Sequence, residues 1–435
     1  MKKIALHWQI LIAIILAALV GLIFDTQTQI AGIKLTALLD LIGTLFLNGL
    51  KLVVVPLVLA SIICAMAGFG NGAGLGRLGA KTLAFYLCSS LVAILIGLFF
   101  VNVIKPGIVD GEPARALLNL SDPAQLDAKL QSIAGRDGGD FADIFLRMLP
   151  PNIVEAAASG QMLGLICFGL LFGYFMTRIA EPLSTTMQQF WQGVFDIMMH
   201  ITLLIMKFAP IGVFGLIGET VLETGFDGLR PVLMFMVCVL LALATHAFVA
   251  LPLALKFLAK VSPWRHMQAM SQALLTAFST ASSSGTLPLT MECVEKKAGV
   301  SNKTAGFVLP LGATVNMDGT ALYECVAAMF IAQAYGLELG FATQFLIVLV
   351  ALLTSVGVAG IPSASLVAIT VILASVGLPP EGIGALLVTD RILDMLRTAV
   401  NVFSDSCCAV VMAKSEGETN VLVDERKLSE NSAPA

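Results

Sequence analysis

The sequence predicts an all-α membrane protein, with eight transmembrane helices and two re-entrant helical hairpins arranged as inverted repeats. Three observations carry this expectation. The chain has 435 residues, of which 57% are hydrophobic and 12% charged, and its mean hydropathy is +0.92; soluble domains carry about a quarter charged residues. Apolar runs of spanning length, about 20 residues, recur from end to end. Two apolar segments, 267–298 and 341–378, are interrupted at their middles by small residues and a proline. A β-barrel does not fit, since its strands are short and alternating. The net charge of -4 sits mostly in loops, and no dense basic patch suits nucleic acid. The eight cysteines form no CxxC or Cys/His ligand set, which points away from a metal centre and towards small buried side chains.

The elements follow in order. Met1, Lys2 and Lys3 precede an apolar run without a cleavage motif, so 7–24 reads as a first spanning helix. Helix 2 is expected over 37–66, with Lys51 and Pro56 inside it. A glycine-rich turn with Arg77 and Lys81 leads to helix 3 at 82–104, which ends before Pro106. The polar stretch 107–140 reads as a mobile aqueous connector. Helix 4 restarts near Phe141, breaks at Pro150 and Pro151, and resumes over 161–179. Helix 5 is expected over 186–216 and helix 6 over 231–258. Lys2, Lys3, Arg77, Lys81, Arg178, Lys256, Lys260, Arg265, Lys296, Lys297, Lys303 and Lys414 fall on one side if the spans alternate. The positive-inside rule then places both termini in the cytoplasm.

The second half departs from plain spans. FSTASSSGTLP at 278–288 and SVGVAGIPSAS at 355–365 interrupt apolar character, and neither half of either segment is long enough to cross a bilayer at 1.5 Å per residue. Each reads as a hairpin whose tip sits at membrane depth, tolerated there only against protein or a wet cavity. Hairpin-plus-helix occurs twice, and an odd number of spans between the hairpins makes them enter from opposite sides, an inverted repeat. Helix 7, 303–334, is interrupted by GATVNMDGT at 312–320, where Gly, Asn, Asp and Thr compete with helix and free backbone carbonyls. Such carbonyls with Asn and Asp oxygens suit a small hard cation. Helix 8, 388–413, is apolar except for Asp390, Asp394, Arg397, Thr398, Asn401 and Asp405. The steps 390, 394, 397, 401 and 405 put these on one face. Charges in lipid cost roughly 2.5–3.5 kcal/mol each on insertion scales, so the stripe must face protein or water and marks an ion or solute site. Residues 415–435 read as a disordered cytoplasmic tail.

SSSGTLP at 282–288, NMDGT at 316–320, AGIP at 359–362 and DxxxDxxRTxxNVxxD at 390–405 resemble the dicarboxylate/amino acid:cation symporter family, the sodium:dicarboxylate symporters that include glutamate and aspartate transporters. The inverted-repeat rule was itself described in part from members of this family, so rule and motifs count as one observation. The resemblance implies a homotrimeric elevator in a bacterial inner membrane. Its static scaffold would be 1–80 (helices 1 and 2) and 141–228 (helices 4 and 5). Helix 3 at 81–105 and the segment 229–414 (helix 6, hairpin 1, helix 7, hairpin 2, helix 8) would move, leaving 106–140 as extracytoplasmic connector and 415–435 as tail.

The resemblance also implies roles. Asp394 would hold a substrate ammonium and Arg397 a side-chain carboxylate, braced by Asp390, with Thr398 and Asn401 completing the wall. Ser282, Ser283 and Ser284 would meet the α-carboxylate; Met317, Thr320, Ile361 and Ser365 would line the pocket. Sodium would be co-transported at three places: Asn316, Asn401 and Asp405 with the Gly312 carbonyl; Thr314 with carbonyls of Ser355, Val356 and Val358; and Asp318 and Asn316 with Tyr86, Ser89 and Ser90. Met317 would couple them. Two departures stand out: relatives carry Arg at the position of Ala281 or of Met395, whereas this chain has Arg391, which can play a similar part or brace the helix start.

The expected activity is sodium-driven symport of aspartate or glutamate. Proton coupling is the alternative, with Glu324 as a carrier. A C4-dicarboxylate carrier would have no ammonium for Asp394, and a neutral amino-acid carrier no need of Arg397. His7, His200, His246 and His266 have no partners in sequence and read as structural or interfacial. An enzyme is not expected, since the hairpin serines lack an adjacent base and no HExxH or GxSxG occurs; nor does a channel filter of repeated ligands.

Overall fold

The computed structural model of the chain describes residues 6–30, 32–70, 77–118, 120, 146, 149–158, 162–224, 228–355, 365–379 and 382–422. These are overwhelmingly helical. Helix α1 (Leu6–Ile23) leads through a two-residue ribbon, β1 (Gln29–Ile30) with β2 (Ile33–Lys34), into α2 (Leu35–Gly70). Pro56 lies inside α2. Helix α3 (Arg77–Ile104) starts earlier than expected, at the first residue after the glycine-rich turn.

Part of the expected mobile connector is ordered. Residues Ile108–Val109 (β3) pair with Glu112–Pro113 (β4) through Asp110 and Gly111, both at positive φ, 54° and 89°. An Asp-Gly pair in that conformation is the favoured two-residue hairpin turn. Arg230 grips Asp110 through both guanidinium nitrogens, at 2.7 and 3.0 Å, and ties the hairpin to the start of the sixth expected span.

After Pro150 and Pro151 the chain forms α4 (Ile153–Ala158) and α5 (Met162–Met176). Asn152 caps α4, accepting from the amides of Val154 and Glu155 at 3.0 and 3.2 Å. The restart of helix 4 near Phe141 lies outside the described residues. The single helix 5 predicted over 186–216 is instead two helices, α6 (Leu183–Lys207) and α7 (Ala209–Thr224), bent by 52°. Pro210 sits in the first turn of α7, where it removes a helical donor.

The sixth span, α8 (Leu229–Ala259), contains two π-helical turns, His246–Ala250 and Leu255–Ala259. Pro252 between them cannot donate to the preceding turn, and the helix widens around it. Hairpin one is α9 (Pro263–Thr280) and α10 (Ser283–Glu292), the latter continuing through a π turn to Lys297. Between them Ala281 takes φ 49°, the left-handed region. Helix 7 is broken as expected, into α11 (Asn302–Val315) and α12 (Asp318–Ala334), with Asn316 and Met317 non-helical between them. Hairpin two contributes α13 (Phe341–Ser355) and α14 (Ser365–Val376); its tip, with Val356, Val358 and Ile361, lies outside the described residues. The last helix, α15 (Ile383–Ser415), extends beyond both predicted ends.

Every residue of α12 is buried, and α15 packs against α3, α8, α9, α11 and α12. A helix apolar on all sides belongs in such a centre. A second group forms around α2, which packs on α5, α6 and α7, with α1 also against α7. There Gly215 of α7 lies so close to α2 that a Cβ would sit 2.7 Å from the Leu39 carbonyl oxygen, the small-residue contact typical of helices in lipid. Among the described residues α3, α8 and α15 are long and apolar enough to cross a membrane, and the bent pair α6–α7 would make a fourth; shorter apolar helices occur in α1, α2, α5 and α13. Leu52, Phe99, Phe248 and Phe257 lie among many exposed large apolar side chains, a surface suited to lipid.

The expected disordered tail is ordered in its first part. Glu418 accepts from the Ser301 amide at 2.8 Å and from the Ser301 and Thr304 hydroxyls at 2.7 and 2.6 Å, and the Leu422 amide donates to the Ala298 carbonyl at 2.9 Å. A carboxylate at the start of α11 meets the free amides of a helix N-terminus. Residues 423–435 lie outside the described residues.

Candidate functional site

The polar stripe of α15 turns inward. Asp390, Asp394, Arg397, Thr398, Asn401 and Asp405 are all buried, and Arg397 has no exposed surface. Arg397 Nη2 donates to Asp394 at 2.9 Å and to Asp390 at 3.2 Å. Its guanidinium carbon lies 3.7 Å from the centre of the Tyr323 ring, and the Tyr323 hydroxyl donates to Asp390 at 3.1 Å. The cation is thus stacked on an aromatic face and held at one nitrogen. Its Nε and Nη1 are buried with no hydrogen-bond partner among the described residues.

One turn further on, Asn401 joins α15 to α12. Its Oδ1 accepts from the Gly319 amide at 2.8 Å and its Nδ2 donates to Thr320 at 3.1 Å. Thr398 donates to the Asp394 carbonyl at 2.8 Å within its own helix. In hairpin one, Ser282 caps α10 and accepts from the Gly285 amide at 3.1 Å. Ser283 is buried and reaches the Ala313 carbonyl at 3.4 Å, while Ser284 is exposed. Met317 is buried in the break of helix 7. Ser365, at the start of α14, is buried with its hydroxyl unpartnered among the described residues.

Below this lies a second polar centre. Asp318, fully buried, accepts from Ser89, from Ser90 at 2.7 Å and from Ser404 at 2.7 Å. Asn316 Nδ2 donates to Asp405 at 2.9 Å and to Ser404 at 3.0 Å, leaving its Oδ1 buried without a partner among the described residues. Tyr86 donates to the Val308 carbonyl at 2.9 Å. A Cβ on Gly312 would stand 2.5 Å from an Asp405 oxygen and 2.6 Å from the Tyr86 oxygen, so only glycine lets that backbone approach the carboxylate. Two carboxylates, an open amide oxygen and hydroxyls make a set of hard oxygen donors.

Thr314 stands apart from this centre. It is exposed and donates to the Leu311 carbonyl of its own helix at 3.0 Å. Ser355 is buried at the end of α13 and likewise bonds within its helix, to Leu352 at 2.9 Å.

The reading of His246 and His266 as residues without partners is corrected by the geometry. His246 Nε2 lies 2.9 Å from Asp318 Oδ2, both buried. His266 Nε2 lies 2.9 Å from the Ser406 hydroxyl, and its ring stacks on Phe403. Tyr323 and Ser404 were also absent from the sequence reading. The signal for His246 was available, an ionisable residue inside an apolar span; nothing local marks Tyr323 or Ser404.

Buried charges on a central helix, facing interrupted helices within an apolar body, define a class: membrane transporters with their site at bilayer depth. The family can be stated. The model of the sodium:dicarboxylate symporter family matches residues 6–415, and the chain belongs to that family. It is 35% identical over 430 residues to the proton/sodium-glutamate symport protein of Bacillus caldotenax, covering 99% of each chain. It is 35% identical to the proton/glutamate-aspartate symporter of Escherichia coli, over 95% of this chain and 93% of that one. Human excitatory amino acid transporter 3 is 33% identical over 84% of this chain and 76% of its own. These relatives are transporters, not enzymes.

Proposed function

We propose that the chain is a secondary active symporter that takes up aspartate and glutamate with sodium. The observation that carries this is Arg397: fully buried, anchored through one nitrogen, with its Nε and Nη1 unpartnered among the described residues. A guanidinium presents a planar fork matched to a carboxylate. In this reading the substrate's side-chain carboxylate takes Arg397, its ammonium takes Asp394, and its α-carboxylate takes the start of α10 around Ser282–Ser284, with Thr320, Thr398, Asn401, Met317, Ile361 and Ser365 around it. Sodium ions ride on the oxygen sets of Asp318 and of Asn316, Asn401 and Asp405. The set of Thr314, Ser355, Val356 and Val358 remains part of the proposal. Because Asn401 belongs to α15 yet holds the α12 amide of Gly319, the cation and substrate regions share a rigid connection, and occupation of one favours the other. The names of the bacterial relatives support glutamate and aspartate as cargo.

The finer architecture belongs to the same proposal: eight spans, two re-entrant hairpins, a bacterial inner membrane with cytoplasmic termini, a homotrimer among lipids. The packing of α3 and α8–α15 around one centre, and of α1, α2, α5, α6 and α7 around another, supports a moving and a static part.

A second reading, proton coupling, is favoured by Glu324. It is fully buried, receives the Thr354 hydroxyl at 3.0 Å, and has Oε1 unpartnered among the described residues. Uptake of labelled aspartate into proteoliposomes, with sodium and proton gradients imposed separately, decides. The sodium reading expects accumulation with a sodium gradient alone; accumulation with only a proton gradient, lost in Glu324→Gln, selects the second.

A further inference from the structure

Asp394 stands between two guanidinium groups. One oxygen takes Arg397 Nη2 at 2.9 Å; the other lies 3.7 Å from Arg391 Nη1, three residues back on the same face. The Arg391 side chain is 14% exposed, and its Nε is buried without a hydrogen-bond partner among the described residues. Asp390 faces Arg397 and Tyr323. At 3.7 Å the Arg391 contact is an ion pair and not a formed hydrogen bond, so this oxygen of Asp394 stays open to a guest while its charge is balanced.

We infer that Arg391 is a specificity-setting positioning residue: acting through Asp394, it lets the site accept dicarboxylates that lack an ammonium as well as acidic amino acids. The inference rests on the reading above, in which Asp394 receives the ammonium. Asp390, Asp394, Arg391 and Arg397 together sum to zero charge. An acidic amino acid brings one positive and two negative groups, so its ammonium balances Asp394 whether or not Arg391 is present. A C4 dicarboxylate brings two negative groups and nothing for Asp394; only Arg391 then keeps that carboxylate from repelling it. One unbalanced charge several ångströms away, at an effective dielectric near 20, changes affinity by a factor on the order of ten.

The test is competition of succinate against labelled aspartate in proteoliposomes containing the wild type, Arg391→Gln and Arg391→Lys. Succinate should inhibit the wild type. Arg391→Gln should lose about tenfold more affinity for succinate than for aspartate, and Arg391→Lys should keep the wild-type ratio. A merely structural role would weaken both substrates alike, and that result overturns the inference. If Arg391→Gln does not fold, the wild type still decides, because indifference to succinate overturns it too. Absence of aspartate uptake by the wild type would instead sink the reading of the site on which this one stands.

Discussion

Tyr323 holds two charges in place by different means. Its hydroxyl donates to Asp390 and its ring underlies Arg397. Burying an ionised group without partners costs far more than a hydrogen bond returns, so the stripe persists because its members satisfy one another. The two contacts can be separated. Tyr323→Phe should cost about 1 kcal/mol in thermal stability, while Tyr323→Leu, which also removes the stacking, should cost about 2 kcal/mol more. Equal losses in the two variants, read by thermal unfolding of the detergent-purified protein, would show that the ring contributes nothing. Asp318 follows the same logic with Ser89, Ser90, Ser404 and His246. Only its partners on helix 3 had been paired with it from sequence, because periodicity along α15 put the charged residues on one face without saying which serine would turn towards α12.

At the scale of elements, the break between α11 and α12 and the interruption between α9 and α10 were legible, since Gly, Asn, Asp, Ser and Pro disfavour helix locally. The bend between α6 and α7 was missed, although Pro210 announces it. The π turns of α8 were not legible at all: they depend on how the helix closes around Pro252, and they bring His246 to Asp318. The clasp formed by residues 416–422 was hidden by a composition that reads as tail. Burial pushes the Glu418 carboxyl up, but the hydroxyls of Thr304 and Ser301, the Ser301 amide and the charge of Lys414 outweigh this and hold it below the usual range. The sign follows: a lowered folded value gives stability above the unfolded value, about 4.3 for Glu, which is lost as pH falls through the folded one. The melting temperature of Glu418→Gln should therefore lie below that of the wild type at pH 7, and the difference should shrink as pH falls below about 4. A difference independent of pH would assign the effect to shape and not to charge.

The whole molecule places its polar atoms on the inside and its apolar ones on the outside. Arg397, Asp318 and Glu324 are among its most buried residues, while Phe248, Phe257 and Leu52 lie exposed. That inversion fits a lipid surround and makes the centre the one place where a charged guest meets partners. The family follows from a match to residues 6–415; the cargo rests on the two arms of Arg397 left open. Equilibrium binding of labelled aspartate to the purified protein in sodium, wild type beside Arg397→Cys, tests this most directly. The account predicts sodium-dependent binding by the wild type and a loss of at least about a hundredfold in the variant, in keeping with removal of a buried charged partner. Unchanged affinity in a folded Arg397→Cys protein would contradict it.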